Sequence, residues 1–535
     1  MNQMLKIKPI GGLEKIGSNI TILEFDKIKV AIDCGLQFFH EDTFNVNYVF
    51  PDLDGIEDID YLLITHGHED HIGGIFPFIS KFPNAKVFAA PFAKELIHKK
   101  LSYKNIPLEI RPHSEIISII KEITQFKLEM IPVNHSIPET FGVHLFNESL
   151  SLLFISDFKI DRKSLEEPVF DINNFPELIK KRPIKLAMLD STNILVSKRK
   201  FEEFDVSENL EKAFGTINKR IYITTFSSNF YRVKKIFKLA EQFNRKIILR
   251  GRSIQKYMDI ATKVGFISLE EVENRLINEK RDRVPENAIL LVAGCQGDRK
   301  SSLSNLVNTP NSKFSPREGD AFIFSSKTIP GNEGKVNYIV DELYRIGVEV
   351  LNDHHGFHTS GHADQRDLAD VYQKYSPTHA IPIHGNVMFL RKHIEFIEKN
   401  FSKTSPMFSL NFDEIIIKNN HSIKFNKNEL KKQTRLFTGW DEIELEREAL
   451  SEKRRLAENG VVSLVIKQKR GKNTVSEIET FGLNKIHKNE KIQLQDLILQ
   501  LDFSGNNFDQ DLRALINRFF KEHSGQTPKL IYHLI

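Results

Sequence analysis

The sequence predicts an α/β protein in which a strand-rich domain is interrupted by a second, parallel α/β domain and followed by a small α/β module. Three observations carry this expectation. The chain has 535 residues, which at about 100 to 200 residues per domain corresponds to roughly three or four domains. As far as Lys200 it consists of short β-rich runs punctuated by Gly, Pro, Asn and Asp, whereas from Ile221 strand and helix patterns alternate. Strand patterns with loop histidines return near 349–352 and 380–383, so the chain is expected to leave the first domain, build the second and come back.

Taken in order, strand patterns occupy 19–25, 29–32, 61–65, 86–89, 142–146 and 151–155, each bounded by turn-forming residues. Residues 221–225 read as a strand leading into a helix over 228–243, and 246–249 as a strand leading into a helix over 255–264. Between Lys418 and Arg435 stand six Lys or Arg against one Glu, followed by an acidic helical pattern over 441–458. This reads first as a solvated linker and second as an RNA-backbone contact. A strand pattern at 461–467 and a helix pattern at 509–523 complete the terminal module.

Composition removes several classes. With 40% hydrophobic and 27% charged residues the chain buries a core and is not disordered as a whole. Its longest apolar runs, such as residues 288–293, are far short of the 18 or so residues of a membrane span. The start lacks the apolar stretch of a secretory signal, so a cytoplasmic location is expected. No internal repeat or low-complexity segment occurs. Two cysteines, Cys34 and Cys295, make neither a disulfide framework nor a thiolate zinc motif, so any metal must be held by His and carboxylates. The net charge of +4 permits an anionic substrate without pointing to one.

The sharpest signal is Tyr61-Leu-Leu-Ile-Thr-His66-Gly-His68-Glu-Asp70-His71. Histidines two apart at a strand end converge on one ion, while Asp70 and His71, further round the turn and near the start of a helix, reach a second ion beside it. With 19 His in the chain, three at these offsets arise by chance about 0.02 times per sequence, before the Asp is required. His-x-His-x-Asp-His after a strand resembles the signature of the metallo-β-lactamase superfamily. The resemblance implies an αββα sandwich, and it implies that Asn134-His135-Ser136 and Ser156-Asp157-Phe158 supply the later ligands. His66, His68, His135 and Asp157 would hold one zinc; Asp70, His71 and the shared Asp157 the other. Asp33, at the end of an apolar strand pattern, is placed to accept the second ring N–H of a ligating His; an ordinary turn Asp before Gly is the alternative.

Three further segments, Leu189-Asp190-Ser-Thr-Asn193, His358-Thr-Ser-Gly-His362 and Pro382-Ile-His384-Gly385, resemble the motifs of the β-CASP nucleic-acid hydrolases. By that resemblance His384 completes the second metal and Asp190 joins the supporting carboxylates. Residues 358–362 also have their own logic: Ser360 and the N–H of Gly361 suit phosphate oxygens, and His358 and His362 can bind phosphate or deliver a proton. His362 is the candidate general acid for the leaving ribose oxygen, with Asp70 beside it as a catalytic carboxylate.

Within the β-CASP group the chain is similar to the ribonuclease J family along nearly its whole length, through Gly11-Gly-Leu13 with Gly17-Ser-Asn19, Thr224-Thr-Phe-Ser-Ser-Asn229, Gly251-Arg-Ser253, Ala293-Gly-Cys-Gln-Gly-Asp298 and Ser302-Leu-Ser304. The resemblance implies a metallo-β-lactamase domain over 1–205 and 366–425, an inserted β-CASP domain over 206–365, a linker over 426–450 and a C-terminal domain over 451–535. It implies 5′-to-3′ exonuclease action on 5′-monophosphate RNA with internal cleavage as well, in rRNA processing and mRNA decay, and two Zn2+ per chain with Mn2+ or Mg2+ as substitutes. Single-stranded RNA is the implied partner, with a homodimer or homotetramer formed through the C-terminal domain and an RNA-degradation complex beyond it. Ser228 and Asn229 would line the pocket for the 5′ phosphate, although Ser228 also reads as a plain helix N-cap. The alternatives are a catalytically silent RNA-binding subunit, which would be expected to have lost ligands, and a DNA-directed nuclease. The chain departs from the family at Glu14-Lys15, Glu139, Cys295 and Asn386, the last beside the expected ligand His384.

Overall fold

The computed structural model describes residues 4–38, 46–163, 170, 184–277, 283–309, 312–329, 331–418, 422–428, 434–438, 443–469, 472–483, 486–505 and 507–535. They form two compact units, one of residues 4–38 and 49–434, the other of the described residues among 39–48 and of 435–535. Part of the basic run, including Lys431 and Lys432, and the start of the acidic pattern at Asp441 lie outside the described residues.

In the first unit an eight-stranded and a six-stranded sheet share one core. The eight-stranded sheet runs Ile423–Asn426, Glu414–Lys418, Met4–Gly11, Ile20–Phe25, Ile28–Ile32, Tyr61–Leu63, Lys86–Ala89, Ile110–Pro112. The six-stranded sheet runs Ser405–Pro406, His379–Ile383, Leu186–Asp190, Ser151–Ile155, Phe141–Phe146, Lys127–Pro132. Alternate residues of the two sheets, Leu5, Ile7, Leu23 and Val30 from one and Val143, Leu145, Leu152 and Ile381 from the other, pack in a single buried cluster, as the two-residue period of a strand requires. The opposite side chains of the six-stranded sheet, Leu153, Ile155, Ala187 and Leu189, are covered by Leu368, Val371 and Tyr372 of the helix Gln365–Tyr375 and by Ile397 of the helix Val387–Asn400.

Between two parallel neighbours of that sheet, Leu186–Asp190 and His379–Ile383, the chain builds a second, five-stranded sheet. Its order is Ile247–Arg250, Ile289–Val292, Ile221–Thr224, Ala321–Phe324, Glu349–Leu351, and every pair is parallel. Ile221–Thr224 leads toward one edge and Ala321–Phe324 toward the other, so these adjacent strands open a crevice at their C-terminal ends, where ligands of doubly wound sheets bind. The expected helices appear as Phe230–Gln242 and Arg252–Lys263.

In the second unit the sheet Lys472–Phe481, Val461–Lys469, Lys529–Leu534 is packed through Val462, Leu464 and Ile466 against Leu494 and Ile498 of one helix and Leu512, Ile516 and Phe520 of another. One expectation is corrected here. The acidic stretch read as helical from 441 is a strand at Ile443–Leu445, paired with 436–438, and becomes helix only at Arg447–Asn459. Backbone pairing overrides the local helix preference of Glu444, since propensity is readily overridden by tertiary context. Among the described residues no helix is long and apolar enough to cross a membrane.

Candidate metal centre and phosphate crevice

The strand Tyr61–Leu63 ends two residues before the expected position, and the loop that follows turns into the short helix Glu69–Ile72. His66 and His68 therefore lie in the loop, His68 in extended backbone, while Asp70 and His71 sit on the first helical turn. His135 follows the strand Lys127–Pro132, Asp157 the strand Ser151–Ile155, and His384 the strand His379–Ile383. All seven expected ligands are thus brought to one edge of the sandwich from four separate segments.

Their atoms form one group of His66, His68, His135 and Asp157 and another of Asp70, His71 and His384, and Asp157 also clusters with His384 and His362. In the first, His66 Nε2 lies 3.2 Å from His68 Nδ1, and His135 Nε2 3.0 Å from His68 Nδ1; Asp157 Oδ2 is 3.7 and 3.4 Å from His66 and His135. In the second, His71 Nε2 is 3.6 Å from Asp70 Oδ2 and 3.2 Å from Asp157 Oδ1, and His384 Nε2 is 3.2 and 3.5 Å from the same two oxygens. Donors at about 2.0 to 2.1 Å from a tetrahedral zinc stand about 3.3 Å apart. Both groups match that spacing.

The far ring nitrogens explain why these atoms must face a cation. His71 Nδ1 lies 2.7 Å from Asp33, which also accepts the N–H and hydroxyl of Thr65. His66 Nδ1 reaches Thr65 Oγ1, whose own proton goes to Asp33. His135 Nδ1 donates to the carbonyl of Gly361 at 2.7 Å. His384 Nδ1 lies 2.6 Å from Thr192 Oγ1, which donates to the His384 carbonyl. With each Nδ1–H given outward, the Nε2 atoms of His66, His135 and His384 face other ring nitrogens or carboxylate oxygens, acceptor against acceptor, while His71 Nε2 also has the Asn19 amide nitrogen at 3.0 Å. Asp157 Oδ1 is buried with no hydrogen-bond partner among the described residues. Burial keeps His66 and His135 neutral, well below the usual imidazole range, and brings His68 down to about 4. At His71 burial is outweighed by Asp157, Asp70 and Asp33, which lift the ring to about 10; a pocket that holds a proton so firmly attracts positive charge in general. Neutral His66, His68 and His135 beside Asp157, and His71 and His384 held among the carboxylates of Asp70 and Asp157, are at separations that fit a pair of divalent ions.

Backbone geometry supports the arrangement. Asp33 and His384 have φ of +63° and +53°, a left-handed conformation that non-glycine residues adopt at a cost and that clusters at functional sites. Gly35 is obligatory because a Cβ there would lie 1.5 Å from the Asp70 carbonyl oxygen.

Asp190 is wholly buried and accepts from His362 Nδ1 at 2.9 Å. Burial lowers the His362 pKa, yet Asp190 and Asp157 together raise it. Ser360 Oγ accepts the N–H of His362, which leaves its hydroxyl proton available. The other phosphate candidates lie at the crevice of the inserted domain. Asn229, not Ser228, is the N-cap of the helix Phe230–Gln242, accepting from Arg232 N, so Ser228 is not used as a cap. His358 is held neutral, near pKa 3, by burial and by Arg232; it would serve phosphate as a hydrogen-bonding group and not as a cation.

Thr65, Thr192, Ser136 (3.4 Å from His68 Nε2) and the Gly361 carbonyl were not singled out by sequence. All four stand inside the motifs that carry the candidate site residues, which is the available signal. The departures have structural uses: Glu139 accepts the N–H of Phe92 at the start of the helix Pro91–Ser102, Asn386 caps the helix Val387–Asn400, and the buried Cys295 thiol is pushed up to about 11 by desolvation. Nothing in the structure explains Lys15.

The sandwich with its inserted sheet and shared-carboxylate site defines a hydrolase-type metal fold, and residues 16–177 match the metallo-beta-lactamase superfamily. Residues 218–343 match "Ribonuclease J, beta-CASP domain" and 348–404 "Zn-dependent metallo-hydrolase RNA specificity domain". The chain is 31% identical over 397 residues to a "Ribonuclease J" of Mycoplasma genitalium, covering 72% of this chain and 68% of that protein. It is 27% identical over 562 residues to a "Ribonuclease J" of Thermus thermophilus, covering 98% and 94%. A solved structure, a protein of unknown function from Enterococcus faecalis, shares the fold with a TM-score of 0.54 at 14% identity, covering 78% of this chain and 100% of that one. The chain belongs to the ribonuclease J family.

Proposed function

We propose that the chain is a metal-dependent ribonuclease that removes nucleotides from the 5′ end of single-stranded RNA bearing a 5′ monophosphate and also cuts internally, leaving 5′-phosphate and 3′-hydroxyl products. The observation that carries this reading is the convergence of seven candidate ligand side chains, Asp157 central among them, in a chain of the ribonuclease J family. His66, His68, His135 and Asp157 would hold one zinc, and Asp70, His71, His384 and Asp157 the other. Such ions, when bound, supply Lewis acidity toward the phosphate and acidify water.

The protein's own groups do the rest. Asp190 fixes His362 through Nδ1 and leaves Nε2 to protonate the departing ribose oxygen, a contribution of about 10²- to 10⁴-fold. Ser360 donates to a phosphate oxygen from the turn that carries His362. At the sheet crevice Ser228, Asn229 and the helix N-terminus they precede would receive the 5′ phosphate, since free N–H groups and the helix dipole favour an anion there. The reading extends to a cytoplasmic role in rRNA processing and mRNA decay, within a homo-oligomer joined through the C-terminal unit and in an RNA-degradation complex.

The test follows zinc-loaded protein on uniformly labelled 5′-monophosphate RNA, with His66→Ala alongside. Mononucleotides from the first minutes, absent in the variant, are expected. Long internal fragments alone would remove the 5′-end reading of Ser228 and Asn229, and intact RNA under zinc, manganese and magnesium would remove the enzyme.

A further inference from the structure

The largest side chain wholly enclosed by the described protein is Arg232, 1% exposed. It belongs to no motif of the metal centre, yet its guanidinium joins three separate segments, one of which leads into the His358–His362 turn. Through Nε and Nη2 it grips both oxygens of Glu203 at 2.6 and 2.7 Å. Through Nη1 it donates to Ser325 Oγ at 2.6 Å and reaches the carbonyls of Ser325 and Phe357 at 3.3 Å. Ser325 Oγ in turn donates to the Phe357 carbonyl at 2.7 Å. The backbone N–H of Arg232 is the group capped by Asn229.

Each contact has a meaning in the fold. Asn229 ends the loop after the strand Ile221–Thr224, and Ser325 begins the loop after Ala321–Phe324; these two loops are the walls of the crevice. Phe357 is the residue before His358, so its carbonyl is the anchor of the turn that carries Ser360, Gly361 and His362. Beyond Glu203 lies Lys159 Nζ at 3.7 Å, itself buried and 2.5 Å from Asp161. Lys159 stands two residues past Asp157, and its backbone N–H donates to the carbonyl of Asn134, next to His135. A buried chain of alternating charge thus runs from the crevice to the two loop segments that carry Asp157 and His135. A planar guanidinium with donors in fixed directions transmits position in a way that a flexible ammonium does not.

We infer that Arg232 is a positioning residue that links occupation of the crevice to the placement of the His358–His362 turn, so that a terminal phosphate bound in the crevice sets the geometry of hydrolysis. This rests on the reading of the crevice as the 5′-phosphate site. An RNA with a bare 5′ hydroxyl gains nothing from the link; an RNA with a 5′ monophosphate gains in turnover.

The experiment compares kcat and KM of the full-length, zinc-loaded protein on matched single-stranded RNAs carrying a 5′ monophosphate or a 5′ hydroxyl, for wild type, Arg232→Gln, Arg232→Lys and Ser325→Ala. Ser325→Ala removes one hydroxyl and serves if the arginine variants do not fold. The expected result is a fall of about tenfold in the preference for monophosphate RNA, within the usual range of coupling between sites, seen in kcat more than in KM, with turnover of the hydroxyl RNA retained. Arg232→Lys is expected to restore less than half of the preference, because the fork is lost. Equal loss on both RNAs, or an undiminished preference in Ser325→Ala and in any arginine variant that folds, overturns the inference. A wild type with no preference for monophosphate RNA removes the crevice reading, and the inference with it; a wild type with the preference and variants that keep it removes the inference alone.

Discussion

Replacing Asp33 by Asn tests the metal centre without touching a ligand. Asp33 is 1% exposed and its carboxylate takes the His71 Nδ1–H at 2.7 Å and the N–H and hydroxyl of Thr65, each at 2.8 Å. An amide of the same shape has one acceptor oxygen for these three donors, and its own N–H₂ must face one of them. The lowest-cost relief is for His71 to move its proton to Nε2, the atom 3.2 Å from Asp157 Oδ1, where it blocks coordination. Loss of such a partner costs about 10- to 100-fold in metal affinity, that is about 1.4 to 2.8 kcal/mol. A smaller loss is expected at the His66 group, because Thr65 passes its hydroxyl proton to Asp33 while accepting from His66 Nδ1. Competitive zinc titration against a chromophoric chelator at pH 7 measures both equivalents, with unfolding of the metal-free protein as the control for folding. Wild-type affinity at both equivalents in a folded Asp33→Asn protein would refute the tautomer argument; equal weakening of both would show that Asp33 acts on the loop as a whole and not through His71.

Two further outcomes are expected. Burial pushes the Glu203 carboxyl up, but Arg232 and Lys159 beside it prevail and bring it down from 4.5 to about 2; because the folded value is the lower one, this group's stabilisation is complete above about pH 4.5 and is lost as pH falls toward 2. The stability advantage of wild type over Glu203→Gln, roughly 3 kcal/mol at neutral pH, should therefore shrink across that window in urea unfolding, and a constant gap would contradict the assignment. Asn386→Ala removes the side-chain acceptor for Phe389 N at 2.9 Å and should cost about 1 kcal/mol of stability with hydrolysis unchanged; a loss of activity as large as that of His384→Ala would place Asn386 in the site itself.

Much of the metal centre was readable from the linear chain because its ligands sit at strand ends. A strand that ends in an apolar run followed by His or Asp projects that residue at the sheet edge, and the local pattern records this at His66, His135, Asp157 and His384. The strand patterns at 86–89 and 151–155 coincide with the observed strands Lys86–Ala89 and Ser151–Ile155, since β-branched and aromatic residues between turn formers leave little choice. The helical reading of 441–458 holds from Arg447 but fails at Ile443–Leu445, because that pairing depends on a neighbouring strand that no local pattern reveals.

Sequence by itself pointed, through short-range spacing, to the metal-binding residue types of the His66–His71 segment and, through the changing period of apolar residues, to a strand-rich domain interrupted by an α/β one; the grouping of the other candidate ligands around Asp157 came from the family resemblance. Only the tertiary structure decided what orients those ligands. Thr192 meets His384 across 192 positions, Gly361 meets His135 across 226, and Arg232 reaches Phe357 across 125. Such contacts join residues that share no local pattern, and a hydrogen bond of 2.6 to 3.3 Å exists only once the sheets that carry both partners have packed.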